Sequence, residues 1–268
     1  MAKQSSSNAG RAAEILILLG QAGRRGMALA ALAEATDEAK SSVHRTLVAL
    51  ADHGLVVQSG NRGNYRLGAG TYALALRSPG LNEIVASYRP ALIEITASTQ
   101  LSTYLMARSG LETVCLDYQN GQIAAQPYVS GIGGRIPLGV GVSGSCILAQ
   151  MDARSRERCL SLNKDTLADW GIPLSLIEEE VESFKLHGFV RGIRRSAGIE
   201  SLTLTVPLVD DDLRGMEAAI SLMAPLNMLD EAAEQKAVAT MQAAIAEARR
   251  QAEIAPRAEG SQVVRAPF

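Results

Sequence analysis

The chain has 268 residues, 47% of them hydrophobic, a net charge of −2 and three cysteines, Cys115, Cys146 and Cys159. That length fits one large or two ordinary domains, and the apolar content excludes a disordered chain. Three cysteines without a CxxC pair exclude a disulfide framework. With no signal-peptide core in residues 1–8, and an apolar run at 15–19 too short to span a bilayer, they lead us to expect a cytoplasmic protein without membrane segments.

Residues 1–10 read as a disordered arm, followed by helices over 11–21, 29–35 and 39–53. The third helix carries Val43, Leu47 and Leu50 at i, i+4 and i+7, an apolar stripe one side wide. Steps of 100° per residue put Ser41, Arg45 and Asp52 opposite that stripe, with His44 beside them. Gly54 suits the left-handed position that ends a helix. Residues 55–58 and 64–67 then flank a turn at 59–63, a hairpin with Arg62 at its tip and Arg66 beside it. Helix, turn, helix and basic hairpin over 11–70 make a winged helix-turn-helix. Residues 1–80 hold nine Lys and Arg against five Asp and Glu, a net +4 that leaves −6 for the remainder.

A linker helix is expected at 71–80, where Ser78-Pro79-Gly80 marks the domain boundary. The body, 81–254, begins with a helix to residue 99 interrupted near Pro90. Strands at 102–107 and 113–118 follow, then a Gly-rich stretch at 130–144 and helices near 145–151, 155–162 and 175–187. Strands at 201–209 and 217–223 flank a turn at 210–215, and a closing helix spans 230–254, with Val238, Met241, Ile245 and Ala248 on one side. The tail, 255–268, reads as disorder. The fold class is α+β, a winged helix-turn-helix joined by a linker helix to an α+β domain.

In the head, Arg45 is the candidate for a bidentate contact to guanine, with Ser41 and His44 also able to reach base edges. Lys40 and Ser42 at the helix start suit phosphates, and Arg62 and Arg66 suit the DNA backbone or a minor groove. The alternative is a solvated polar face with no partner.

In the body, Gly139-Val140-Gly141-Val142-Ser143-Gly144 fits GxGxxG, but Pro137 and a Gly-rich stretch stand where the preceding strand should be. A GxSxG nucleophile motif fails because Ser145 takes the last glycine position. His44, His53 and His187 form no Ser-His-acid or Cys-His set, and no metal-ligand spacing occurs. No catalytic residue, metal or cofactor is expected. The loop better suits capture of a small anion. Its glycines permit close approach, and Ser143, Gly144 and Ser145 lie at a helix N-terminus. The alternative is that Gly139, Gly141 and Gly144 serve packing alone, with Arg135 bonding the loop.

Taken in order and spacing, several segments resemble the IclR family of bacterial transcriptional regulators over about residues 11–250. They are Leu29-Ala30-Ala31-Leu32-Ala33-Glu34, Lys40-Ser41-Ser42-Val43-His44-Arg45, residues 50–55, Tyr65-Arg66-Leu67-Gly68, Gly134-Arg135-Ile136-Pro137-Leu138, Gly144, Leu148-Ala149, Gly188-Phe189 and Ala219-Ile220-Ser221. Asp37 and Ala39 replace the family's usual Gly and Pro, and Asp37 is expected to cap the third helix. Arg191, Arg194 and Arg195 replace a usual acidic stretch. The resemblance implies a GAF-like effector-binding body, with Val142, Ser143, Gly144, Thr203 and Ser221 at the effector and Ala125 a weaker match. It implies as partners a double-stranded DNA operator, a small carboxylate-bearing effector and further copies of the chain, as homodimer or tetramer, with repression the expected mode. The alternatives are an enzyme acting on a small acid and a protein-interaction module.

Overall fold

The computed structural model describes residues 7–60, 63–78, 80–123, 125, 127–129, 131–209 and 215–254. They form two compact units, one ending at Asn82 and the other beginning at Glu83.

The first unit runs α1 (Asn8–Gln21), a 3-10 turn (Gly23–Arg25), α2 (Leu29–Ala35), α3 (Lys40–Asp52), β1 (Val56–Gln58), β2 (Tyr65–Leu67) and α4 (Ala69–Leu76). Part of the expected disordered arm is helical. The Ser7 hydroxyl accepts from Gly10 N at 3.1 Å and starts α1 at Asn8, while residues 1–6 lie outside the described ones. Asp37 holds φ 52 between α2 and α3, the left-handed turn conformation that Asp tolerates better than most residues. It lies two residues before the N-cap position rather than at it. The N-cap is Ala39, with no side-chain capping bond. The stripe Val43, Leu47 and Leu50 meets Ile15, Leu19, Leu32, Val56 and Tyr65 in one core. β1 and β2 pair antiparallel, and Met27 bridges Tyr65 on the far side of β2.

From Glu83, two residues into α5 (Leu81–Thr99), the second unit holds the rest of that helix, β3 (Ser102–Ser109), β4 (Glu112–Gln119), β5 (Arg135–Pro137), α6 (Val142–Gln150), α7 (Ala153–Asp169), α8 (Leu174–His187), β6 (Val190–Ser196), β7 (Ile199–Leu208), β8 (Ala218–Pro225) and α9 (Glu231–Ile254). The strands form an antiparallel sheet in the order β5-β4-β3-β8-β7-β6. α5 runs through Pro90 without the expected break. Its buried face, Ile84, Tyr88, Ala91, Leu92 and Ile95, continues past the proline, and sheet packing outweighs one lost backbone hydrogen bond. Residues 210–214 and 255–268, read from sequence as a turn and a tail, lie outside the described residues.

Side-chain alternation divides the sheet into two faces. Leu105, Leu202, Leu204, Val206, Ile220 and Leu222 pack under α5 and α9. The opposite face meets α6 and α8 through a second core that includes Leu138, Val142, Ile147, Leu167, Ile177 and Val190. This second face carries the pocket.

Candidate functional site

On α3, Lys40, Ser41, His44 and Arg45 are exposed, and Ser42 is half-buried beside the stripe that anchors the helix. Arg66 on β2 is exposed as well, whereas Arg62 lies outside the described residues. Among those residues Lys40, Arg45 and Arg66 make no ion pair or side-chain hydrogen bond, in contrast to Arg11, which pairs with Glu38 at 3.0 Å. Six arginines that line or brace the sheet of the second unit behave differently. Arg89, Arg108, Arg135, Arg191, Arg194 and Arg195 are each paired with a carboxylate. The head therefore presents uncompensated positive charge, and the body consumes much of its own.

The pocket is built by strand register. β3–β8 pairing sets Tyr104 opposite Ser221, β7–β8 pairing sets Thr203 opposite Met223, and β6–β7 pairing sets Gly192 opposite Thr203. Tyr104, Met106, Thr203, Ser221 and Met223 thus share one sheet face. Ile136 of β5, the 127–129 segment and the start of α6 close a space of about 430 Å³, its open mouth included.

Of the sequence-nominated residues, Val142, Ser143, Thr203 and Ser221 line this space; Gly144 and Ala125 do not. Gly144 is a packing residue. A Cβ there would lie 2.3 Å from Gly139 N, so glycine lets α6 press against the preceding loop. Ser143 and Thr203 are only 6% and 5% exposed, and their hydroxyls have no hydrogen-bond partner among the described residues. Ser221 Oγ is occupied by Thr205 Oγ1 at 2.9 Å. Gly141 caps α6 through its backbone alone, leaving first-turn amides near Ser143.

Arg194 also lines the pocket. Its Nε donates to Val140 O at 2.8 Å, Nη1 to Ile193 O at 3.1 Å, and Nη1 and Nη2 each to a Glu180 oxygen at 2.7 Å. Four of its five donors are thereby used. The fifth, on Nη2, shares the Nε edge that faces the loop before α6. Tyr128, another lining residue, donates its hydroxyl to Arg195 O at 2.6 Å and meets the Trp170 ring edge-on at 5.8 Å. Burial pushes the Tyr128 phenol's pKa up, with the Arg194 charge pulling against it.

In the sequence Arg194 stands out only as a departure from a pattern, and Tyr104, Met106, Tyr128 and Met223 carry no site signal of their own. The aromatic and methionine positions show as period-two alternation once the strands are known, but Arg194 points inward where alternation of hydrophobicity would place Ile193. Arg135, by contrast, ties β5 to β4 through Glu112 at 2.8 Å and to the end of β3 through Ser109 at 3.1 Å. Among the described residues no cluster of His, Cys, Asp or Glu is placed to hold a metal ion, and no helix is long and apolar enough to cross a membrane.

A winged helix-turn-helix followed by an α+β domain is the build of a two-domain transcriptional regulator. Residues 9–60 match the model of the IclR helix-turn-helix domain. The HTH-type transcriptional regulator Rv1719 of Mycobacterium tuberculosis is 27% identical, in a match covering 79% of this chain and 85% of the relative. An IclR family transcriptional regulator from Brucella abortus superposes with a TM-score of 0.71 at 19% identity, covering 93% of this chain and 94% of the other. An IclR homolog from Microbacterium hydrocarbonoxydans, complexed with 4-hydroxybenzoate, gives 0.72 at 19% identity over 92% and 99%. Residues 9–60 thus form a helix-turn-helix domain of the IclR type, and the chain as a whole takes the fold of those solved regulators.

Proposed function

We propose that this chain represses transcription by binding an operator through α3 and the wing, and that a small carboxylate-bearing metabolite in the pocket modulates that binding. The observation that carries the DNA half is the exposed, unpaired set Lys40, Arg45 and Arg66 on the two elements that a winged helix presents to a duplex. Arg45 reads a base edge, with Ser41 and His44 beside it, while Lys40, Ser42 and Arg66 contact phosphates, and Arg62 is assigned to the same wing.

The effector half rests on the hydroxyls of two largely buried residues, Ser143 and Thr203, which line an otherwise apolar and aromatic pocket and make no hydrogen bond among the described residues. A carboxylate would supply the missing acceptors at the start of α6, with the remaining Arg194 donor alongside. Its body would lie among Tyr104, Tyr128, Met106 and Met223. The 4-hydroxybenzoate held by the Microbacterium homolog has that shape. Action as a homodimer or tetramer is supported by α4, whose Tyr72, Leu74 and Leu76 stand exposed and suit burial against a second copy. The effector regulates only by binding the DNA-competent and incompetent states unequally.

The test is selection of bound fragments from genomic DNA by the full chain, then titration with small carboxylates, 4-hydroxybenzoate among them. We expect a preferred pseudo-palindromic site, a loss of about 1–3 kcal/mol on that site for Arg45→Ala, and release of DNA by one carboxylate. Enrichment of no sequence, with Arg45→Ala indistinguishable from wild type, would remove the DNA reading.

A further inference from the structure

We propose that the turn between α1 and α2 is a second phosphate-binding site for duplex DNA, in which Arg24 and Arg25 act together with Arg66 of the wing. The inference rests on the regulator reading and extends it to residues outside α3 and the wing.

The turn is a rigid mount. It is bounded by Gly23 at φ 57 and Gly26 at φ 62, backbone conformations that favour glycine, and Gly26 N donates back to Gly23 O at 3.3 Å. Both arginines between these glycines are exposed. Three hydrogen bonds tie the turn and the residue after it to the wing. Met27 N donates to Tyr65 O at 2.9 Å, Tyr65 N to Met27 O at 2.8 Å, and Asn64 Nδ2 to Arg25 O at 3.0 Å. Tyr65 is buried in the head core, so this pairing cannot slide. A Cβ on Gly26 would fall 2.2 Å from Tyr65 O and 2.5 Å from Arg66 Cγ. Arg66 therefore lies over Gly26, the residue next to Arg25, and the three arginines occupy one contiguous ridge at the base of the wing.

Charge decides the occupant. None of Arg24, Arg25 and Arg66 has an ion pair or side-chain hydrogen bond among the described residues, although Arg11 in the same unit finds Glu38. The acids of the head, Glu14, Glu34, Asp37, Glu38 and Asp52, lie on α1, α2, the helix-turn-helix turn and α3; none is on the Arg24–Arg25 turn or the wing strands. A ridge of like charges without local counterions repels itself and is compensated by an external polyanion. The duplex that α3 engages is that polyanion. A turn carrying guanidinium groups without a groove-sized element meets phosphates rather than base edges.

The test uses the full chain and a non-specific duplex, with affinity followed from about 50 to 200 mM salt. Each phosphate contact contributes about 0.9 to the slope of log K against log salt. Replacing both residues, Arg24→Gln with Arg25→Gln, should flatten that slope by about two and weaken every sequence alike, while Arg24→Lys with Arg25→Lys should keep most of it. Both positions are exposed, so an unchanged melting temperature is expected and certifies the fold. An unchanged slope in the glutamine variant overturns the site and leaves the regulator reading standing. Selective loss of an acidic protein's binding with DNA affinity intact overturns it too. A wild-type chain without salt-dependent DNA affinity overturns both readings together.

Discussion

Glu180 of α8 and Arg194 of β6 meet as a bidentate pair, with both N–O distances at 2.7 Å and side chains only 5% and 4% exposed. Through the same guanidinium, β6 is bonded to Val140 O in the loop before α6. One ion pair thus holds together α8, the edge strand and the loop that opens the pocket-lining helix. Gly192 makes room for it, since a Cβ there would lie 2.4 Å from Glu180 Oε1 and 2.7 Å from Val142 Cγ2.

Breaking that pair on one side leaves a buried charge uncompensated, which costs far more than the pair's net worth. Glu180→Ala is expected to destabilise the second unit by about 3–5 kcal/mol in urea unfolding. Glu180→Leu combined with Arg194→Met removes both charges and should be near wild type in stability. Wild-type stability for Glu180→Ala alone would mean the carboxylate is not shielded from water.

Ser143→Trp should fill the pocket, abolish the response to the effector and leave operator affinity in its absence unchanged. Thr203→Val is the finer probe, because it keeps the shape and removes one buried hydroxyl. It is expected to weaken effector binding about tenfold, or about 1.4 kcal/mol, when calorimetry is run on both proteins. Full affinity in the Trp variant would move the effector elsewhere.

Gly144→Ala tests the assignment of that glycine to packing. Its added methyl meets the Gly139 backbone rather than a flexible side chain, so relief requires α6 to move. We expect a loss of about 1–3 kcal/mol in stability. Effector affinity should fall only through that displacement.

The thiols provide a pH test. Burial first, and then the Asp117 carboxylate, pushes the Cys115 thiol up to about 12, and burial raises Cys146 as well. Cys159 is also buried. Around pH 8 the native chain should react with a disulfide reagent only as fast as it opens, and with all three thiols in denaturant. Because the folded pKa of Cys115 lies above its ordinary value of 9.0, its contribution to stability is complete below pH 9.0 and is lost as pH rises toward about 12. Rapid native labelling of Cys115 near pH 8 would contradict its burial.

The head was legible because its signals are local. Val43, Leu47 and Leu50 lie within two turns of one helix, so spacing alone identifies both the buried stripe and the opposite face with Arg45. The turn was harder to read: Asp37 takes the left-handed conformation between two helices, and the N-cap position falls on Ala39. In the body, β7 and β8 were visible as alternating apolar runs. β6 was not, because Arg191, Gly192, Arg194 and Arg195 carry no hydrophobic alternation. β5 has only three residues, too few for any period to show.

Periodicity and turn chemistry act between residues close in the chain, and they were sufficient for the winged helix-turn-helix, the α+β body and the anion-friendly loop at 139–145. The pocket's membership needed strand pairing. Whether Thr203 faces Met223, 20 residues away, and Tyr104 faces Ser221, 117 residues away, depends on strand register, and a slip of one residue would send each to the other face. The inward turn of Arg194 depended on something further still, a carboxylate fourteen positions upstream on α8. A buried charge goes where its partner is, and no pattern of hydrophobicity encodes that address.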